Sequence, residues 1–129
     1  MVCRVCDAQT VAFRVPADLA AHAPDDEAAA VCTSCLRVQP ASPDDVPADP
    51  GFDALLSQFP GGEGGAALAL ALGLLDSLAL NRAAIVDCCA HAERAGVDVH
   101  LALGRLVSAG RVEPHFDLSR RHAQLRDVL

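Results

Sequence analysis

The sequence predicts an α+β chain: a small β-unit pinned by cysteines, followed by an α-helical bundle. Three observations predict it. Two C-x2-C pairs, Cys3/Cys6 and Cys32/Cys35, bracket a β-branched and aromatic spacer. A Pro- and Asp-rich stretch, Pro40 to Gly51, follows. From about Phe52 onward the chain is Ala and Leu, punctuated by residues that start and stop helices. The expected organisation is a cysteine-bound unit at 1–40, a linker at 41–51 and a helical unit at 52–129.

The cysteines come first. The two pairs are separated by 25 residues, Asp7 to Val31. Four thiolates so spaced suit one tetrahedral zinc ion, with Zn–S near ~2.3 Å. Each pair forms a tight knuckle whose following N–H groups can bond the sulfurs. Asp7, after the first pair, tolerates the left-handed backbone such knuckles use; Leu36, after the second, fits it less well. Between the pairs, Thr10 to Val15 reads as a strand stopped by Pro16, and Asp18 to Glu27 as a polar excursion. Ala28 to Val31 then returns to the second knuckle, and Leu36 to Gln39 continues as a short strand. Knuckle, strand, loop, strand, knuckle is the layout of a zinc ribbon. The expected cofactor is one structural Zn2+ on Cys3, Cys6, Cys32 and Cys35, with iron the alternative because sulfur-only sites accept either. A thioredoxin-type C-x2-C needs a strand before it, and only two residues precede Cys3. Four protein ligands leave no open position for water, so the metal is not expected to catalyse.

In the helical unit, Phe52 to Phe59 reads as a short helix with Asp53 as its cap. Pro60-Gly-Gly-Glu-Gly-Gly65 reads as flexible punctuation. It is not a phosphate loop, because GxxxxGK[ST] is absent and there is no Lys anywhere. Ala66 to Leu75 alternates like a strand, but Ala and Leu are strong helix formers, and a helix apolar nearly all round is a central one. Asn81 reads as the cap of the next helix, with Leu80 stapled onto Ile85 and an inward stripe of Ile85, Cys88, Cys89, Ala92 and Ala95 up to Gly96. Asp98 caps a helix carrying Leu101, Leu103, Leu106 and Val107, which Gly110 ends. Val112 to Phe116, with Pro114, is irregular or extended. Asp117 caps a last helix, where Leu118, His122, Leu125 and Leu129 form an apolar seam.

A few residues invite sharper readings. Cys88 and His91, three apart on a helix, could share a second metal with His115 or His122; the plainer reading makes Cys88 and Cys89 small buried hydrophobes. A vicinal redox pair is disfavoured by an apolar setting, which raises thiol pKa. His22 and His100 read as surface residues. Residues 92–112 look like a helix–turn–helix with a following strand, which makes Arg105 and Arg111 candidate nucleic-acid contacts. Arg120, Arg121 and Arg126 give the last helix a positive face, so Arg120 and Arg121 are candidates too, for phosphate or an acidic partner. The charge opposes it: the net is −7, and no aromatic platform for single strands is exposed to view.

That charge comes from 13 Asp and 4 Glu against 10 Arg. An Asp-heavy, Lys-free composition suits a salt-loaded cytoplasm, where carboxylates keep a protein hydrated; a GC-rich genome produces a similar bias. No secretory signal opens the sequence. The longest apolar stretch, Ala66 to Leu75, is ten residues, against about 20 for a membrane span. A cytoplasmic protein without a membrane partner is therefore expected, and its cysteines are not kept for disulfides.

The chain resembles an uncharacterised family of small haloarchaeal zinc-ribbon proteins. The likeness rests on the two cysteine pairs, the Leu/Ala helix running into Leu75-Asp-Ser-Leu-Ala-Leu-Asn-Arg82, the Arg94-Ala-Gly-Val-Asp98 turn and Pro114-His-Phe-Asp-Leu118. It covers most of the chain, and its specific part is the cysteine pattern. The resemblance implies a halophilic origin and a zinc ribbon, but no activity. Cys88 and Cys89 fall outside the family's pattern, which counts against a second metal. No nucleophile–base pair or cofactor loop is discernible, so no enzyme is expected. The expected role is an adaptor docking onto another macromolecule, protein in preference to DNA or RNA. The alternatives are a nucleic-acid-associated regulator and a thiol or metal sensor.

Overall fold

The computed structural model describes all of residues 1–129. Strand β1 (Thr10–Arg14) pairs antiparallel with β2 (Ala28–Cys32), and β2 pairs antiparallel with β3 (Val38–Pro40). The register sets Val11 opposite Val31 and Phe13 opposite Ala29. By the two-residue period of a strand, these four share one face of the sheet. Four helices follow: α1 (Gly62–Leu74), α2 (Leu78–Arg94), α3 (Val99–Ala109) and α4 (Leu118–Leu125). The architecture is α+β, as the pattern of elements predicts.

One apolar cluster runs through both halves. Val11, Phe13, Val31 and Leu36 from the sheet end join Phe52, Leu68, Leu72 and Ile85 from the helical end. The Phe52 ring lies 5.7 Å from that of Phe13 and 5.4 Å from that of Phe59. The Pro/Asp stretch lies on the sheet as well. Ser42 caps a single 3-10 turn at Pro43–Asp45, accepting the Asp44 N–H at 3.3 Å, and that turn rests against β1.

Three local expectations are corrected. Phe52 to Phe59 is not a helix capped by Asp53. It holds one 3-10 turn, Phe52–Ala54, entered through Gly51 in the left-handed region, and it buries Phe52, Leu55, Leu56 and Phe59. The Gly-rich run is not flexible punctuation either, because α1 begins at Gly62 and buries Gly64 and Gly65. Both lie where a side chain would collide. A β-carbon at Gly64 would stand 2.5 Å from Val97 Cγ2, and one at Gly65 would strike the Pro60 carbonyl oxygen.

Asn81 supplies the third correction. A 3-10 turn at Leu75–Ser77 joins α1 to α2, and α2 starts at Leu78, so Asn81 stands inside it. Its Nδ2 reaches back to donate to the Leu74 carbonyl at 3.0 Å, satisfying an acceptor that the end of α1 leaves free. Leu80 makes no staple, being 88% exposed. The two side chains therefore predict opposite outcomes. Asn81→Ala costs about 1 kcal/mol of stability for the lost bond, whereas Leu80→Ser stays within ~0.5 kcal/mol of wild type in denaturant titrations.

The run Gly62–Arg94 is longer than its apolar core suggests. Counted through the joining turn it has 33 residues and is long and apolar enough, by length and composition, to cross a bilayer. Gly64 to Leu72 lie buried in the protein's own core. Beyond it, Asp98 and Asp117 cap α3 and α4 as expected, accepting the N–H groups of Leu101 and Arg120, each at 3.0 Å. Gly110 ends α3 in the left-handed region. The seam of α4 buries Leu118, His122 and Leu125 but leaves Leu129 exposed. His100 is only half exposed, stacking on His122 with ring centroids 5.7 Å apart. Burial, with Arg126 and His100 nearby, holds the His122 imidazole below its ordinary pKa.

Candidate metal centre

The sheet places the two knuckles. The second begins at Cys32, the last residue of β2; the first precedes β1 and is closed by a bridge between Val2 and Gln9. Pairing Thr10 with Cys32 brings the two loops side by side. Further bonds fix them. The Thr33 N–H and hydroxyl both donate to the Gln9 carbonyl, at 3.0 and 2.8 Å. Gln39 of β3 clamps the first knuckle with its side-chain amide, accepting the Arg4 N–H at 3.1 Å and donating to the Val2 carbonyl at 3.2 Å.

Both knuckles turn the same way. Asp7 and Leu36, each the residue after its pair, have φ of 62° and 65°. The Leu36 conformation is the uncommon one for a large side chain, and its complete burial in the core holds it there. Backbone N–H groups point at sulfur. Val5 donates to Cys3 Sγ at 3.5 Å, and Ser34 and Cys35 both donate to Cys32 Sγ at 3.3 Å.

The four sulfurs all lie within 4.8 Å of one another, with Cys3 to Cys35 at 3.7 Å and Cys6 to Cys32 at 3.4 Å. An ion ~2.3 Å from each of four tetrahedral sulfurs would hold them about 3.8 Å apart. A disulfide would need about 2.05 Å, and all six cysteines are free. The donor set thus fits a metal ion. Charge argues the same way. Burial drives the Cys32 thiol up to about 12 despite its N–H donors. Burial also opposes ionisation of Cys3, but N–H bonds from Cys6 and Val5 and the thiols of Cys35 and Cys6 outweigh it and bring it down to about 7. Four thiolates this close repel one another, and a divalent cation is what lets them ionise together.

The other candidates are not gathered into sites. No other set of three His, Cys, Asp or Glu side chains converges. Cys88 is fully buried in the core, as is Cys89, while His91 turns its Nε2 to Glu63 at 3.3 Å. Burial, with Cys89 and Asp87 nearby, pushes the Cys88 thiol up to about 12; burial and Glu93 do the same for Cys89. Neither is a nucleophile at neutral pH. Iodoacetamide at pH 8 should leave both unmodified in the folded chain and alkylate both after denaturation, as read by peptide mass spectrometry. Fast labelling of the native protein would contradict the core reading.

Arg105, Arg111 and Arg120 are exposed on and after α3 and on α4. Arg121 is half-buried and committed within the chain, donating to Gln124 Oε1 at 2.9 Å and to the Asp76 carbonyl at 3.3 Å. After Gly110 the chain runs irregularly to Asp117 rather than forming the strand expected of a winged helix. Two supporting residues escaped the sequence reading. Gln39 is one. His115 is the other, packing on the second knuckle with Nδ1 2.7 Å from the Cys35 carbonyl. His115 stands in the Pro114–Leu118 run and Gln39 in a short strand, and only the fold brings them to the cysteines.

A four-cysteine cluster able to hold a metal, carried on a three-stranded antiparallel sheet and backed by helices, defines a small α+β protein with a closed sulfur site. The chain belongs to a family of unknown function (DUF6276), which it matches over residues 2–129. No curated protein and no solved structure matches it.

Proposed function

We propose that the protein is a non-enzymatic zinc-ribbon adaptor. One structural Zn2+ sits on Cys3, Cys6, Cys32 and Cys35, and the metal-bound end docks onto another protein. The observation that carries this reading is the cage itself, in which four sulfurs surround one point and leave no position for water or substrate. The rim of the first knuckle supports a docking role. Met1, Val2 and Val5 present apolar side chains to solvent there, Val5 at 63% exposure. A rigid loop tip with exposed apolar residues suits a protein surface better than a phosphate backbone, and the net charge of −7 points the same way. The Lys-free, Asp-rich composition supports a haloarchaeal, salt-loaded cytoplasm as the setting, with no membrane partner.

The test uses tagged full-length chain in native high-salt lysate. Wild type should recover one stoichiometric protein, and Val5→Asp should lose it while keeping zinc. Recovery of nuclease-sensitive complexes that need Arg105 and Arg120 would replace the adaptor with a nucleic-acid-associated regulator.

A further inference from the structure

Residues 113–115 run alongside the second knuckle. The Glu113 N–H donates to the Ser34 carbonyl at 2.8 Å, and the His115 N–H donates to the Cys35 carbonyl at 3.1 Å. The His115 ring adds a third bond, the second to the Cys35 carbonyl, at 2.7 Å. A carbonyl only accepts, so Nδ1 carries the proton. On its other side, His115 Nε2 stands 3.5 Å from Asp76 Oδ2. The Asp76 carbonyl in turn accepts from Arg121 of α4. Three direct hydrogen bonds therefore tie residues 113–115 to the second knuckle, while Arg121 ties α4 to Asp76.

We propose that metal binding at the four cysteines latches the C-terminal segment, residues 111–129, onto the rest of the protein. This rests on reading the cysteine cluster as a metal centre. Two carbonyls that hold the start of the segment belong to the knuckle, whose shape depends on its sulfurs converging, while Leu118, His122 and Leu125 of α4 are buried against the rest of the protein. Leu36 holds a left-handed backbone that persists only where its surroundings over-determine it. With the metal gone the sulfurs no longer converge, and only the Thr33–Gln9 bonds and the buried Leu36 side chain hold Ser34 and Cys35 in register with Glu113 and His115. The helices α1 and α2 pack mainly on each other and share only part of their core with the sheet, so they depend less on the knuckle. Metal removal thus frees α4 before it disturbs the helical core. By linkage the effect is reciprocal, and a severed latch must weaken metal binding by the same factor that the metal strengthens the latch.

The experiment is amide exchange on the full chain, loaded with one zinc or stripped by a chelator, with zinc counted by native mass spectrometry. Stripping should cut the protection of Leu118–Leu125 amides tenfold or more and leave Gly64–Leu72 protected. Protection of α4 that ignores zinc overturns the latch while leaving the metal centre standing. Simultaneous loss across every helix also overturns it, since the coupling is then only global unfolding. A wild-type chain that binds no zinc overturns both readings together. Independently, His115→Ala should weaken zinc binding about tenfold in competition with a chromophoric chelator. Glu113→Pro, which deletes the main-chain donor, should do likewise. Unchanged affinity in both variants rejects the coupling.

Discussion

Cys32→Ser should yield a chain that carries no zinc and has no ordered sheet. Cys32 ends β2, is fully buried, accepts two backbone N–H bonds and lies 3.4 Å from Cys6 Sγ. A hydroxyl there is shorter, does not ionise at neutral pH and cannot reach a shared ion. Structural zinc contributes apparent binding energies on the order of 10–16 kcal/mol, comparable to the whole stability of an ordinary domain, about 5–15 kcal/mol. The amino-terminal end cannot replace that from its own core, where three consecutive alanines, Ala28 to Ala30, line the central strand. Native mass spectrometry should find one zinc on wild type and on Cys88→Ser, and none on Cys32→Ser. Exchange protection across Thr10–Arg14 and Ala28–Cys32 should vanish in the last alone. Zinc retained by Cys32→Ser, or a bare wild-type chain with its sheet fully protected, would reject the centre.

The second large effect is expected at Gly65. Helix propensity alone favours Gly65→Ala by about 1 kcal/mol. Contact geometry predicts the opposite sign. The new methyl would meet the Pro60 carbonyl oxygen at a distance no real contact adopts, with Phe52 Cδ2 3.0 Å away. The obstacle is backbone, which cannot swing aside, and the ring behind it is packed between Phe13 and Phe59. Overpacking of this kind costs about 1–3 kcal/mol and occasionally more. The net expectation is a loss of about 1 kcal/mol, read as a lower thermal midpoint at fixed zinc. A raised midpoint would mean that the Pro60 turn yields freely.

Comparing these two sites explains what the sequence discloses. Cys32 is legible because its partners are a matter of spacing: C-x2-C occurs twice, and tetrahedral sulfur chemistry allows few other uses. The first two strands, the Asp98 and Asp117 caps and the burial of Cys88 and Cys89 are legible for a similar reason, being written in neighbouring residues, whereas the third strand lies at Val38–Pro40 rather than at 36–39. Gly65 is not. Its meaning depends on Pro60 and Phe52, that of Gly64 on Val97 and that of Gly73 on Val38. Read locally, glycine before a helix signals a break; read in the fold, it signals two segments in contact. Asn81 misleads in the same way, since a capping residue type was read as a boundary when its amide serves a carbonyl seven positions back. Leu36 misleads in the other direction. Its backbone looks costly in isolation and is sustained by burial. His115 and Gln39 belong to the centre through tertiary pairing alone.

The shared core has a consequence for biosynthesis. Val11, Phe13 and Val31 find their cover on Phe52 and on Leu68 and Leu72 of α1, all of which leave the ribosome later than both cysteine pairs. The nascent chain can therefore capture its ion early, yet it trails an uncovered apolar sheet until the first long helix has been translated. In that interval an ion held by the four sulfurs would keep the emerging strands paired with each other rather than with a neighbouring polypeptide.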